Sequence, residues 1–388
     1  MSQFYQIPNV KNFIKINMKY KYLYMRGRVG LSKILHGLGV GQGDKVALQA
    51  FTCIAVPEAI YSLGAIPVYI DLDKNSVNMC PDSLEAFLKT KTIKAVIIQH
   101  TFGIPAKLDI LNSLCKDYEV PLIEDCCHTH NSTFNGEEIG KHSVASFFSF
   151  EWGKPIIAGM GGAVISNDKK LTKFLTRNYK NLKEPSIFQN VKNLVQLIAF
   201  KILYRPSLYW YLKDLFHVLS KYQITSGNYS HEEIGLDKKP SEDFSYKMPI
   251  VNKLQLYFGV NSHNKNIVLK KRLSEYYYNE FAKDEIGASM MLQVPDNCEV
   301  HYSRFPLMVS NKKSLLELAR RKHIEVSSFY DSPVHPHTLK ELESVGYKLG
   351  SCPNAEALCG KIISLPINTN ITKDYIKTTV EFIKSYGC

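Results

Sequence analysis

Between residues 45 and 167 the chain alternates short apolar runs with stretches whose apolar residues recur every three or four positions. VALQAF (46–51), IPVYID (66–71), AVIIQH (95–100), LIEDC (122–126), ASFFSF (145–150) and AVISN (163–167) have the length and β-former content of buried parallel strands. Residues 55–63, 81–91 and 106–117, which lie between these runs, read as helices. Another short helix carries Leu31, Ile34, Leu35 and Leu38, starting after Gly27 and ending at the glycines from 39 to 43. Alternating strands and helices imply a mostly parallel central sheet with helices on both faces.

The character changes after Asn167. Residues 191–220 are dense in large apolar side chains, carry Lys192, Lys201, Arg205 and Lys213, and are interrupted at Pro206. They predict two amphipathic helices with a turn between them. Either the pair packs on the body or across a subunit interface, or it lies on a membrane surface. Residues 221–245 read as a polar loop, and a long helical region follows. From about 285 a smaller α/β unit is expected, with strands at 302–310, 324–330 and 362–366 and helices at 311–322, 353–360 and 372–386. The expected organisation is an N-terminal arm (1–25), a large domain (26–250) with a helical insertion at about 185–240, and a long helix with a small C-terminal α/β domain (251–388). The arm is basic and aromatic. It is either packed on the body or a partner, or only partly ordered.

Composition narrows the class. With 388 residues the chain can bury a sizeable core. Nine cysteines without paired CxxC spacing or a secretory leader fit reduced thiols and a cytoplasmic location. No apolar run approaches the roughly 20 residues of a membrane span, so any membrane contact would be peripheral, at the inner face. A formal charge of +12 favours anionic partners. Without a finger spacing or Arg-rich tract it does not indicate specific nucleic-acid binding. Strand alternation sends Cys126, Cys127, His128 and His130 to different faces, so no metal centre is expected. The glycines at 37, 39, 41 and 43 precede a strand, the wrong context for a dinucleotide fingerprint.

In an open α/β sheet, ligands bind at the carboxyl ends of the strands. Asp125, His128, Ser149 and Lys154 all follow such ends. An amine beside an acid, a hydroxyl and a histidine is what a pyridoxal phosphate (PLP) site needs. The lysine forms the Schiff base, the acid keeps the ring nitrogen protonated, the hydroxyl suits the phosphate, and the histidine reaches the ring hydroxyl.

The spacing Glu124-Asp125-x-x-His128, then Ser149-Phe150-x-x-x-Lys154, then Gly159 and Gly161-Gly162, resembles the DegT-type sugar aminotransferases, a branch of fold-type I PLP enzymes. GAIPVYIDLD and KAVIIQHTFGIPA extend the likeness, which covers nearly the whole chain from about Arg26. The resemblance implies Lys154 as Schiff-base lysine, Asp125 at the ring nitrogen, His128 at the ring hydroxyl and Ser149 at the phosphate. It places Gly27, Arg28 and Val29 at the phosphate-binding helix start, where Arg28 stands for a threonine. Cys53 occupies a position where many members stack an aromatic on the ring, and Met160 one that is commonly acidic. Ser245 and Lys247 stand where the family supplies an asparagine to the neighbouring subunit, and His335 is a substrate candidate.

The implied protein is a homodimeric aminotransferase of a keto-sugar, nucleotide-linked, in surface polysaccharide or related glycan biosynthesis, with glutamate as amino donor. The rival from another class is a non-catalytic protein of the same fold that regulates or binds membrane surfaces. Cofactor content separates the two.

Overall fold

The computed structural model describes residues 20–221 and 241–387. Most of the expected arm (1–19) and of the polar loop (222–240) lies outside the described residues.

Seven strands form the central sheet: β1 (Tyr22–Tyr24), β2 (Lys45–Gln49), β3 (Ile66–Ile70), β4 (Ile93–Gln99), β5 (Leu122–Asp125), β6 (Ala145–Ser149) and β7 (Gly162–Ser166). Their order is β1-β7-β6-β5-β4-β2-β3. From β3 to β6 every neighbour is parallel, as expected. AVISN departs from that expectation. β7 runs antiparallel to β6, with Gly162 opposite Ser149, because only the 150–161 loop joins them and no crossover helix intervenes. β1 then pairs antiparallel with β7 as an edge strand, so Tyr22–Tyr24 belongs to the sheet.

Period-two alternation divides the core. Val46, Leu48, Ile97, Ile123, Phe147 and Val164 point to one face and meet α1 (Gly27–Gly37), α2 (Ala55–Tyr61) and α5 (Lys169–Lys180). Ala47, Val96, Ile98, Leu122, Phe148 and Ala163 point to the other, against α3 (Pro81–Leu88) and α4 (Leu108–Asp117). Both faces of the sheet are therefore apolar and covered, and polar side chains collect at its rim.

The two expected amphipathic helices form as α6 (Ile187–Leu203) and α7 (Tyr209–Lys221), with Pro206 in the break between them. A capping box closes the start of α6, in which Ser186 and Gln189 exchange hydrogen bonds. α11 (Pro353–Cys359) buries Ala355, Leu358 and Cys359 in the first of these cores, while the 32-residue α8 (Ile250–Phe281) runs on to a third core with α9 (Glu285–Met290), β8 (Arg304–Met308), α10 (Lys312–Arg321), β9 (Ile362–Pro366) and α12 (Lys373–Tyr386). Its centre is Tyr277, Phe305, Leu307, Leu315, Ile363 and Ile383.

The strand expected at 324–330 is reduced to one bridge, Ser327 with Ser364. Its β-formers mislead because Glu325, fully buried, is held by Arg304 (3.0 Å) and by the Tyr204 hydroxyl (3.0 and 3.1 Å). These polar ties take the chain out of the ladder.

Candidate active site

The 150–161 loop between β6 and β7 is tied at both ends. Phe150 N–H donates to the Gly161 carbonyl (2.9 Å), and Ala158 N–H to the Phe150 carbonyl (2.8 Å). Asn252 of α8 donates to the Ala158 carbonyl at 2.7 Å. Two glycines are needed for its return. Gly161 has φ +126° with Met248 where a Cβ would go (2.4 Å), and a Cβ on Gly162 would stand 2.4 Å from Gly27 Cα. The start of α1 is thereby drawn against β6 and β7, and a Cβ at Gly27 itself would touch the Phe148 carbonyl at 3.2 Å.

A cavity of about 450 Å³ opens at this junction. Its lining includes Gly27, Arg28, Cys53, Asp125, His128, Ser149 and Lys154, so seven of the expected site residues converge on one space. Val29 is fully buried in the first turn of α1 and points into the core. Arg26 at the N-cap makes no side-chain cap to α1, and a helix start of this kind directs its amide N–H groups toward an anion.

Asp125 is buried at the end of β5 and accepts from the Cys127 amide at 2.9 Å. Burial pushes its carboxyl above the usual carboxylate range, while the Cys127 bond and the Lys154 charge pull the other way. His128 lies between the rings of Phe102 (6.2 Å) and Tyr330 (6.1 Å), both nearly parallel to it. The Tyr330 hydroxyl stands 3.4 Å from His128 Nε2. Burial, and then the Lys154 charge, hold His128 well below its ordinary pKa, so it is a neutral imidazole at physiological pH.

Arg28 reaches the cavity already engaged in an ion pair with Glu58 of α2. His335 pairs through its backbone with Cys53 and sits 5.3 Å from the Tyr330 ring, behind the cavity wall. Burial lowers its pKa to about 4. Ser245 and Lys247 do not line the cavity of their own chain. The Ser245 carbonyl accepts from Lys183, and the Lys247 amine pairs with Glu184 at 2.9 Å.

Tyr330, Gln99 and the Arg26–Glu151–Asp243 cluster were missed by sequence reasoning. Arg26 lies 3.2 Å from Glu151 and also pairs with Asp243, which ties the N-cap of α1 to the lysine loop and to the segment before α8. None of these has a local signature, because the partners are 125 and 217 residues apart. The buried group His100, Glu124 and Cys126 has metal-ligand geometry. Glu124, however, accepts from Gly140, His142 and Ser143 as well as meeting His100 at 3.2 Å, which is the pattern of a satisfied structural network.

The DegT/DnrJ/EryC1/StrS aminotransferase family model matches residues 18–192 and 228–384. The chain belongs to this family. Among curated relatives, L-glutamine:scyllo-inosose aminotransferase of Streptomyces griseus is 33% identical over 142 residues, 37% of this chain and 33% of that protein. The chain spans about a third of the length of the curated relatives it matches first. Solved structures share the fold. DesI, solved in the presence of its TDP-sugar product, superposes with TM-score 0.67 at 18% identity, covering 94% of this chain and 79% of its own. A Streptococcus pneumoniae protein solved in a PLP-form and a PMP-form gives TM-scores of 0.69 and 0.71 at 18% identity, covering 97% of this chain and 89% and 90% of its own.

The DegT/DnrJ/EryC1/StrS family model passes over residues 193–227, which contain most of α6 and all of α7. That addition meets the departure at Met160. Met160 is buried, and Asn193 of α6 approaches its sulfur at 3.9 Å while bonding Asn252 at 3.0 Å. An apolar residue at 160 suits a position covered by a helix.

Proposed function

We propose that this chain is a PLP-dependent aminotransferase that converts a nucleotide-linked keto-sugar to an amino sugar, with glutamate as donor, in surface polysaccharide or related glycan biosynthesis. The observation that carries this reading is the convergence of Lys154, Asp125, His128, Ser149 and the open start of α1 on one cavity. The residues fit PLP. Gly27 and Gly162 let the start of α1 pack directly on β6 and β7, that start carries no side-chain cap, and the lining supplies an amine, a buried acid and a hydroxyl. When bound, PLP supplies an electron sink for the carbon that gives up or receives the amino group.

Asp125 would pair with the ring nitrogen of bound PLP, and the start of α1 with Ser149 would hold its phosphate. Neutral His128, held against Phe102 and Tyr330, would offer a ring nitrogen to the cofactor hydroxyl. Lys154 Nζ would hold the cofactor and, as a free amine, would take and return the proton at the substrate carbon. The basic balance of the chain and the TDP-sugar product of DesI support a nucleotide-linked acceptor. The position of Ser245 and Lys247 outside their own cavity supports a homodimer in which they serve the neighbouring site.

Purified protein given PLP is expected to acquire a visible cofactor band. Glutamate should bleach it with release of one equivalent of 2-oxoglutarate, and glutamine, the donor in the name of the Streptomyces relative, should be run alongside. Protein that stays colourless with added PLP returns the reading to the non-catalytic rival.

The reading extends to a membrane surface. No helix among the described residues is long and apolar enough to cross a bilayer. Yet α6 and α7 expose Ile187 (85%), Phe188 (77%), Ile202 (66%) and Tyr211 (61%), the last two in the stretch that the family model passes over. Residues 187–221 hold five Lys or Arg and a single acid, Asp214, which pairs with Arg320. A face that is apolar and cationic suits an anionic bilayer better than a second copy of itself, which would bring like charges together. The pair is anchored by Trp210 Nε1 donating to the Ile324 carbonyl (2.8 Å) and by Phe200 against Trp152 of the lysine loop (4.6 Å). Vesicles containing phosphatidylglycerol are expected to co-sediment the protein at low salt, and Phe188→Ser with Ile202→Ser to release it. Protein left in the supernatant at low salt sinks the idea. A change of oligomeric state in the double variant would instead place a second protein chain on this face.

A further inference from the structure

Lys312 opens α10 and is buried, although lysine is seldom buried without partners and a positive charge at a helix start opposes the helix dipole. Its surroundings offset both costs. The ammonium donates to three carbonyl oxygens, those of Cys359 (2.7 Å), Tyr330 (3.1 Å) and Ser328 (3.2 Å), and lies 2.9 Å from the Asp331 carboxylate. Cys359 is the last residue of α11, so the same charge stands at the favourable end of a second helix. The cage also joins two cores. α10 belongs to the third through Leu315 and Ala319, whereas α11 and Tyr330 belong to the first.

The segment held in this way carries a wall of the cavity that contains Lys154. At one end Ser327 exchanges backbone bonds with Ser364 of β9 (2.9 and 3.0 Å). At the other, the Pro333 and His335 carbonyls accept from Thr52 (3.0 Å) and Ile54 (2.8 Å). Residues 328–332 span the gap between these ties, and Lys312 takes two of their carbonyls. The second oxygen of Asp331 accepts from the Ser328 hydroxyl (2.9 Å), which closes the turn from its exposed side. Tyr330 lies in the middle of the span and lines the cavity. Its ring packs on Phe51 (5.1 Å) and lies nearly parallel to His128 (6.1 Å), and its hydroxyl is 3.4 Å from His128 Nε2. The carbonyl and the ring of Tyr330 share one short stretch of backbone, so a group that fixes the first also sets where the second stands.

We infer that Lys312 is a positioning residue of the cofactor site, which acts through the Tyr330 backbone to hold the Tyr330 ring and hydroxyl against His128. Its bearing on the cofactor rests on the PLP reading of the cavity; its hold on Tyr330 does not.

The test is a double-mutant cycle on cofactor affinity. PLP is titrated by absorbance into wild type, Lys312→Met, Tyr330→Ala and the double variant, with Lys313→Met as an exposed control on the next residue. Lys312→Met is expected to weaken PLP binding by roughly tenfold, the worth of one well-placed hydrogen bond, and Lys313→Met to leave it unchanged. Because Lys312 acts through Tyr330, the double variant should bind no more weakly than Tyr330→Ala. Orphaned carbonyls lower the melting temperature whatever the lysine does for the site, so the coupling is the readout that separates positioning from stability. Wild-type affinity in a folded Lys312→Met protein overturns the inference, as do effects that multiply in full in the double variant. Should Lys312→Met fail to fold, Asp331→Ala loosens the same turn from outside and takes its place in the cycle, with a loss of about threefold expected. If wild type takes up no PLP, the aminotransferase reading fails, and crystal structures of the unliganded wild type and variant decide the rest. A Tyr330 hydroxyl beyond hydrogen-bond reach of His128 Nε2 in the variant supports the hold, and an unmoved Tyr330 overturns it.

Discussion

Lys154→Ala is expected to lower the rate of amino transfer by roughly 10⁴-fold or more, since in the proposed reaction this lysine is both the covalent anchor and the proton carrier. Among the described residues no other lysine lines the cavity that holds Asp125, His128 and Ser149, and the one guanidinium there, that of Arg28, is paired with Glu58. Lys154→Arg should fail as completely, because a guanidinium does not give up its proton at working pH. Folding should be nearly untouched. The loop is held by the backbone bonds of Phe150 and Ala158 and by Asn252, none of which uses the lysine side chain. The measurement is 2-oxoglutarate release from glutamate under single-turnover conditions, alongside a thermal melt. Above about one per cent of wild-type rate in a properly folded Lys154→Ala protein, the assignment would have to move to another amine.

Much of this site was legible because its residues lie on consecutive strand ends. Asp125, Ser149 and Lys154 each follow an apolar run of recognisable length, and a parallel sheet delivers such ends to one rim whatever the details of the helices. Gly27 was legible for a related reason. A glycine at a helix start that must approach two strands leaves a mark in the sequence, although the contact with Gly162 that requires it does not. Antiparallel β7 was hidden, because a parallel and an antiparallel strand can carry the same run of residues and only the connection tells them apart. Tyr330 was hidden by distance, since it reaches His128 from 202 residues away. Arg28 was legible as a cavity residue but not in its pairing, because nothing local announces Glu58.

Asp125→Asn should separate the cofactor role of this residue from any structural one, and the expected signs are opposite with and without PLP. Without PLP the Asp125 carboxylate is a buried charge that Lys154 offsets only in part, and burial raises its pKa above the ordinary 3.8. A raised acid pKa means that the folded state holds the proton more tightly than the unfolded one. This contribution to stability is present below the unfolded value and is lost as pH rises through the folded value. At neutral pH the ionised group is therefore a cost in the unliganded protein. Asparagine removes that charge and can still accept from the Cys127 amide through Oδ1. Unliganded Asp125→Asn should consequently melt no lower than wild type. With PLP the order reverses, because wild type gains a pyridinium counter-charge in a dry site and the variant does not, so its melting temperature should rise much less. Turnover should fall by roughly 10²- to 10³-fold, the scale seen when one preorganised electrostatic partner is removed from a reacting group. A variant that loses stability without PLP yet keeps the full gain on adding it would make Asp125 a structural acid, and the ring nitrogen would need another partner from the cavity wall.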